Sequence, residues 1–218
     1  GFDNLTGTIK EVGGALTLQK TGAGTWLVNL APSYTGDTQV DEGTLKIGFT
    51  NALPIGTALR VGNGATAGTL DLNGFDQIVG ALSVSTNSVV EVNNIIIGAA
   101  DTLTVNGPVV IGANANLSTT LFSPTGGGSF VNNNDGGTFQ VGGATGTGNE
   151  NDATADFSAL SNFTVDLGST GTFRVGDNSS NTGAVGLSKL ILAPTSTITA
   201  NSLQVASVQT NSLQTLQL

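Results

Sequence analysis

The chain has 218 residues, enough to bury a sizeable core, with 32 Gly, 10% charged residues and no His, Cys or Met. Its 15 acidic and 6 basic residues give a formal net charge of −9, which excludes the cationic face needed to bind nucleic-acid phosphates or an anionic membrane surface. Without Cys there are no disulfides or thiolate metal sites, so ladders and packing must supply the stability.

Apolar and polar residues alternate in short runs along the chain: Leu16-Thr17-Leu18, Leu45-Lys46-Ile47, Leu59-Arg60-Val61, Leu70-Asp71-Leu72, Leu103-Thr104-Val105, Phe173-Arg174-Val175 and Leu203-Gln204-Val205. A period of two predicts short, half-buried strands. Turn pairs stand between them, at Glu42-Gly43, Asn63-Gly64, Asn73-Gly74, Asn106-Gly107 and Asp135-Gly136. No stretch of a dozen residues keeps a helical apolar period uninterrupted. The longest apolar runs, Ile95-Ile96-Ile97 and Val109-Val110-Ile111, fall far short of the roughly 20 residues of a membrane helix, so no membrane insertion is expected. The chain opens at Gly1 without a charged-then-apolar leader and reads as a mature or excised segment of a longer protein.

The strand units recur. GTWLVN begins at Gly24, GTLKIG at Gly43, GTLDLNG at Gly68, DTLTVNG at Asp101, GTFQVG at Gly137 and GTFRVG at Gly171. A strand-then-glycine ending closes LKIG, LRVG, IIIG, VVIG, FQVG and FRVG at Gly48, Gly62, Gly98, Gly112, Gly142 and Gly176. Landmarks that recur at a few tens of residues with uneven spacing predict solenoid coils with insertions at their corners. One coil cannot bury its apolar row alone, so coils stack through parallel ladders about 4.8 Å apart. The predicted fold is all-β, a parallel β-helix of short strands with Gly- and Asn-rich corners, running as one solenoid over 1–218. An antiparallel sandwich shares the short alternating strands and Asn-Gly turns, but not the recurring units, and aromatic residues are scarce at 5%.

Over 16–84 the units resemble the autotransporter-associated β-strand repeat family, also called passenger-associated transport repeats. The resemblance is carried by LTLQKTGAGTWLVNL from Leu16 to Leu30, SYTGDTQVDEGTLKIG from Ser33 to Gly48, and GTLDLNGFDQIVGALSV from Gly68 to Val84. It implies a right-handed β-helix, export to the bacterial surface or beyond, and a structural or adhesive role. The stretch 101–218 keeps the Gly/Thr/Asn style as divergent coils.

Candidate chemistry is sparse, because the absence of His and Cys removes the commonest general base and the most potent nucleophile. A polysaccharide-cleaving enzyme would need paired carboxylates, for which Asp71 with Asp76 and Asp41 with Glu42 are the candidates; all four also read as solvated positions, and no enzyme is expected. The loop from Gly146 to Asp156 gathers Glu150, Asp152 and Asp156 beside Asn149 and Asn151, hard oxygen ligands that suit calcium. It lacks the spacing of a helix-loop-helix calcium site, and DNSSNTG at Asp177 has the same oxygen-rich look. The string GATGTG at Gly143 lacks the Lys-Ser/Thr and the helix of a phosphate cradle. Trp26 and Tyr34 can stack on sugar rings or pack inside. Asn4, Asn116, Asn162 and Asn178 head N-x-S/T sequons. The expected partners are the chain's own neighbouring repeats and surface glycans. The last strands, SLQVASVQTNSLQTLQL from Ser202, carry no Pro or Lys shield, which keeps open a filament subunit that stacks end to end.

Overall fold

A computed structural model of the chain describes residues 1–7, 9, 11–84, 91–112, 119–143, 152–176, 187–205 and 214–218. Its strands form three sheets in which each strand pairs with its counterpart one coil further along. Sheet 1 has nine strands: Phe2–Leu5, Thr25–Val28, Gly43–Ile47, Gly68–Asp71, Val92–Ile96, Thr119–Phe122, Asp152–Asp156, Ser188–Ile191 and Gln214–Gln217. Sheet 2 has eight: Leu18–Lys20, Thr38–Val40, Ala58–Val61, Ala81–Val84, Val109–Ile111, Thr138–Val141, Thr172–Val175 and Ser202–Val205. Sheet 3 has five: Gln77–Val79, Thr102–Val105, Ser129–Asn133, Asn162–Asp166 and Thr195–Thr199.

Every strand-to-strand ladder is parallel, as where Thr25 lies on Thr44 and Thr44 on Thr69, or Phe139 on Phe173 and Phe173 on Leu203. Among the described residues the one antiparallel pairing is an isolated bridge between Gly98 and Gly127. The chain is therefore a parallel β-solenoid and not the hairpin-built sandwich. Period two drives this directly: in Thr102–Val105 the buried residues are Leu103 and Val105, in Thr138–Val141 Phe139 and Val141, with the alternate residues facing out.

Coil length grows along the chain. Thr38 and Thr57, whose hydroxyls share a 3.0 Å hydrogen bond, are 19 residues apart. Leu187, whose N–H donates to Asp152 Oδ1 at 2.7 Å, lies 35 residues further on. The third wall accounts for part of the growth, because sheet 3 begins only at Gln77. In the preceding coil that side is an irregular corner at Leu53. The fully buried Gln77 amide replaces a ladder there, accepting from Leu53 N at 3.0 Å and donating to Leu53 O at 3.1 Å.

The interior is one continuous apolar cluster whose character changes along the axis. Leu, Val and Ile fill the early coils. Six phenylalanines, Phe122, Phe130, Phe139, Phe157, Phe163 and Phe173, fill the later ones, all essentially fully buried. Phe139 stacks on Phe173 with centroids 4.8 Å apart and planes 2° from parallel. Phe130 stacks on Phe163 at 5.7 Å and 13°, and Phe157 meets Phe163 edge-on at 4.7 Å. Such offset and edge contacts add to what burial alone contributes.

Two interior polar groups stand out in the early coils. The alternation begins at Leu18 rather than Leu16, and it carries Lys20 inside, fully buried. The Lys20 ammonium donates to the carbonyls of Thr21 and Glu42, each at 2.9 Å, and of Gly22, and lies 5.5 Å from the Trp26 ring centre. Burial holds its pKa below the ordinary lysine range, against the opposing pull of Glu42 and Asp3. Tyr34, 2% exposed, shares a 2.6 Å hydrogen bond with Thr38, and burial pushes its pKa up to about 12.

The six strand-then-glycine endings fall into two classes. Gly62, Gly112, Gly142 and Gly176 close strands of sheet 2 with φ between 71° and 101°, where a side chain would be strained. Gly48 and Gly98 follow strands of sheet 1 without positive φ, so the shared pattern covers two backbone geometries.

Candidate functional site

With the interior filled, recognition falls to the outward faces. Each parallel sheet turns alternate residues outward in ladders, so one polar residue per strand becomes a column along the axis.

Sheet 2 presents charges already engaged with one another. Asp41 accepts from Gln19 Nε2 at 2.5 Å and pairs with Arg60 at 3.3 Å, and Arg60 also donates to Gln39 at 2.6 Å. Arg174 donates to Gln204 at 3.0 Å in the next coil. Sheet 1 carries the column Thr25, Thr44, Thr69 and Asn94, with Lys46 and Asp71 beside it in a 3.1 Å ion pair.

Sheet 3 is different. Its first outward column is Thr102, Ser129, Asn162 and Thr195, and its second is Ile78, Thr104, Val131, Thr164 and Thr197. A third, at the far edge, is Asn133, Asp166 and Thr199. Asn162 Nδ2 donates to Ser129 Oγ at 3.1 Å, fixing the first column from coil to coil. The hydroxyls of Thr104, Thr164 and Thr197 engage no partner among the described residues. Columns lie two residues, about 6.6 Å, apart and rungs about 4.8 Å apart. The result is a grid mostly of hydroxyls and amides that both donate and accept, broken in the second column by Ile78 and Val131, with Asp166 as its one charge.

The carboxylates singled out from the sequence hold the corners together. Asp71 Oδ1 accepts from Asn73 N at 2.8 Å while its other oxygen meets Lys46. Asp76 Oδ1 accepts from Thr102 N at 2.7 Å in the following coil. Asp41 serves the sheet 2 network, and the Glu42 carbonyl receives Lys20. Asp101, which the sequence did not single out, accepts from the N–H groups of Gly74 and Gly98 at 3.0 and 3.1 Å. The carboxylates of Asp41, Asp71, Asp76 and Asp101 are thus each committed to a turn or a neighbour, while Glu42 takes part through its backbone carbonyl. Of the turn pairs read from the sequence, Asn63-Gly64 makes an Asx turn, Asn63 Oδ1 accepting from Ala65 N at 3.0 Å, whereas the Asx turn at Asp71, followed by Leu72, and the contacts between coils were not legible.

For the calcium candidate, Asp152 and Asp156 stand at opposite ends of one five-residue strand, both outward. Four residues of extended chain separate them by about 13 Å, so this strand does not bring them onto one ion. Asp152 accepts from Leu187 N and Asp156 from Ser158 N at 2.9 Å. Glu150, Asn149 and Asn151 lie outside the described residues, as do most of GATGTG, all of DNSSNTG and the sequons at Asn116 and Asn178. Among the described residues no three acidic side chains gather as metal ligands, and no helix is long and apolar enough to cross a membrane. Trp26 is half-buried and packs against the interior, and Tyr34 is buried, so both serve packing.

Comparison with known proteins points one way. The chain is 37% identical over 126 residues, 58% of its length, to the adhesin BmaC autotransporter of Brucella suis biovar 1 (strain 1330), of which it covers 3%. It is 31% identical over 182 residues, 84% of its length, to the probable autotransporter YfaL of Escherichia coli (strain K12), of which it covers 12%. It spans a small part of these curated relatives. No family model and no solved structure matches the chain. The chain is a distant homologue of these two autotransporter proteins.

Proposed function

We propose that the chain is a structural and adhesive element of a secreted bacterial surface protein, a stalk or spacer that displays its outward ladders, with units over 16–84 of the autotransporter-associated β-strand repeat type. The observation that carries this is the unbroken run of parallel ladders, with sheet 1 continuous from Phe2 to Gln217 and sheet 2 from Leu18 to Val205. A solenoid of this kind is stabilised by contacts between neighbouring coils and offers extended faces instead of a cleft. The similarity to an adhesin autotransporter supports export and adhesion. Chemistry at the carboxylates is disfavoured because Asp41, Asp71 and Asp76 are each committed to an ion pair, a turn or the next coil.

The test is antibody labelling of intact producing cells, with adhesion measured before and after deletion of the coding sequence. Labelling without permeabilisation and reduced adhesion are expected. A signal seen only after permeabilisation would refute the surface role.

A further inference from the structure

We propose that the outward face of sheet 3 is the ligand-facing surface, and that it takes an extended, neutral, β-linked polysaccharide lying along the solenoid axis. This rests on the surface role proposed above and names its partner.

The face is distinguished by what it holds and what it lacks. Thr104, Thr164 and Thr197 stand in one column with Ile78 and Val131, Thr104 two coils from Thr164 and Thr164 one coil from Thr197, with hydroxyls unengaged among the described residues. Beside them the Asn162 amide and Ser129 hydroxyl are already aligned by their own hydrogen bond. The outward strand positions of sheet 3 carry no Lys or Arg among the described residues, whereas sheets 1 and 2 present Lys46, Lys189, Arg60 and Arg174, of which Lys46, Arg60 and Arg174 are held by acids or amides.

Charge then selects the partner. On a chain of net charge −9, a face without cations repels anionic polymers and gives a second copy of the chain no electrostatic reward for docking. A neutral polyhydroxyl surface meets neither penalty, and its hydroxyls both donate and accept, like those of the grid.

Geometry selects the form. The rungs repeat at about 4.8 Å, close to the advance of one sugar ring in an extended β-linked chain; because neighbouring rings of such a chain are turned over relative to one another, alternate rings meet alternate coils in the same way, the spacing of Thr104 and Thr164. Because neither Trp26 nor Tyr34 reaches this surface as a stacking platform, each ring is held weakly by hydrogen bonds. Affinity therefore comes from many rungs acting together. Long or particulate glycans are preferred over short soluble ones.

The experiment is co-sedimentation of the whole chain with microcrystalline cellulose and with chitin, against granular starch as an α-linked control and alginate as an anionic one. The wild-type chain is expected to partition onto the β-linked particles only. The double variant Thr104→Val, Thr164→Val keeps side-chain shape and strand propensity while deleting two hydroxyls, and should bind about tenfold more weakly. Ser83→Lys, on the outward side of sheet 2, should bind like the wild type. Circular dichroism checks that each variant is folded. Failure of the wild type to sediment with either β-linked glycan, or full binding by a folded valine variant, would overturn the proposal. Dimerisation in sedimentation velocity that the valine pair disperses, without glycan binding, would overturn it in favour of a second copy. Cell adhesion that persists unchanged in the valine variant would remove this face from the account while leaving the surface role standing.

Discussion

The first coils and the later ones solve the same packing problem with different side chains. Where a coil has two sheets and an irregular corner, Val40, Leu45, Ile47, Leu59 and Val61 fill the interior completely. The first coils that have the third sheet keep aliphatic interiors at Leu82, Leu103, Val105 and Val109, and Phe130, Phe139, Phe163 and Phe173 take over further along. On sheet 2, Phe139 and Phe173 continue the register column of Leu59, Leu82 and Val109. The number of walls alone therefore does not decide which apolar residue a column carries; the rings replace aliphatic side chains coil by coil within one column.

The comparison is broken most severely by emptying the aromatic stack. Phe163 touches Phe130, Phe139 and Phe157, so Phe163→Ala should cost about 3 to 5 kcal/mol in denaturant unfolding. The early coils have their own weakness at alkaline pH. Tyr34 titrates near 12 when folded against an ordinary 10, so the folded state holds its proton where the unfolded state has lost it. Stability is full below pH 10 and falls between pH 10 and 12, by about 2 to 3 kcal/mol at the upper end. Lys20, with its pKa lowered, has the opposite sign, and its contribution rises until the ordinary lysine value is passed. Tyr34→Phe should remove the alkaline fall, which unfolding curves at stepped pH will show.

The reverse exchange sharpens the contrast. Leu59→Phe places a ring in a two-sheet coil and should destabilise by about 1 to 3 kcal/mol through overpacking; a neutral result in thermal melts would show that the early lumen has room to spare. The smallest effect concerns calcium. Since Asp152 and Asp156 are held apart on one strand, adding calcium or a chelator should leave the melting temperature unchanged, and a rise of several degrees would assign the ion to ligands elsewhere.

Much of the fold was legible in advance. Alternation located the strands at Leu45, Leu59, Leu103 and Phe173, and recurrence of the Gly-Thr units implied stacking. Period two states which residues point inward, but not how many walls a coil has, so the start of sheet 3 at Gln77 went unread. The same period places Lys20 inside, against the habit of reading lysine as solvated, because three carbonyls at the corner satisfy it. The aromatic column was hidden by a low overall count: six of nine phenylalanines are concentrated in a few coils. The outward grid on sheet 3 was invisible for a related reason. Its members are ordinary Thr, Ser and Asn in sequence and form a surface only when residues 27 to 33 positions apart come into register.

Register between coils is the claim on which everything else depends, and a chain without cysteine offers a clean test. Thr138 and Thr172 face outward on neighbouring strands of sheet 2 and are paired directly, at a separation a disulfide spans. The variant Thr138→Cys, Thr172→Cys should oxidise to an intramolecular disulfide in nearly all molecules, while Thr138→Cys with Arg174→Cys, displaced by two residues, should stay reduced. Equal crosslinking of the two pairs, or none in the first, would contradict the parallel stacked coil.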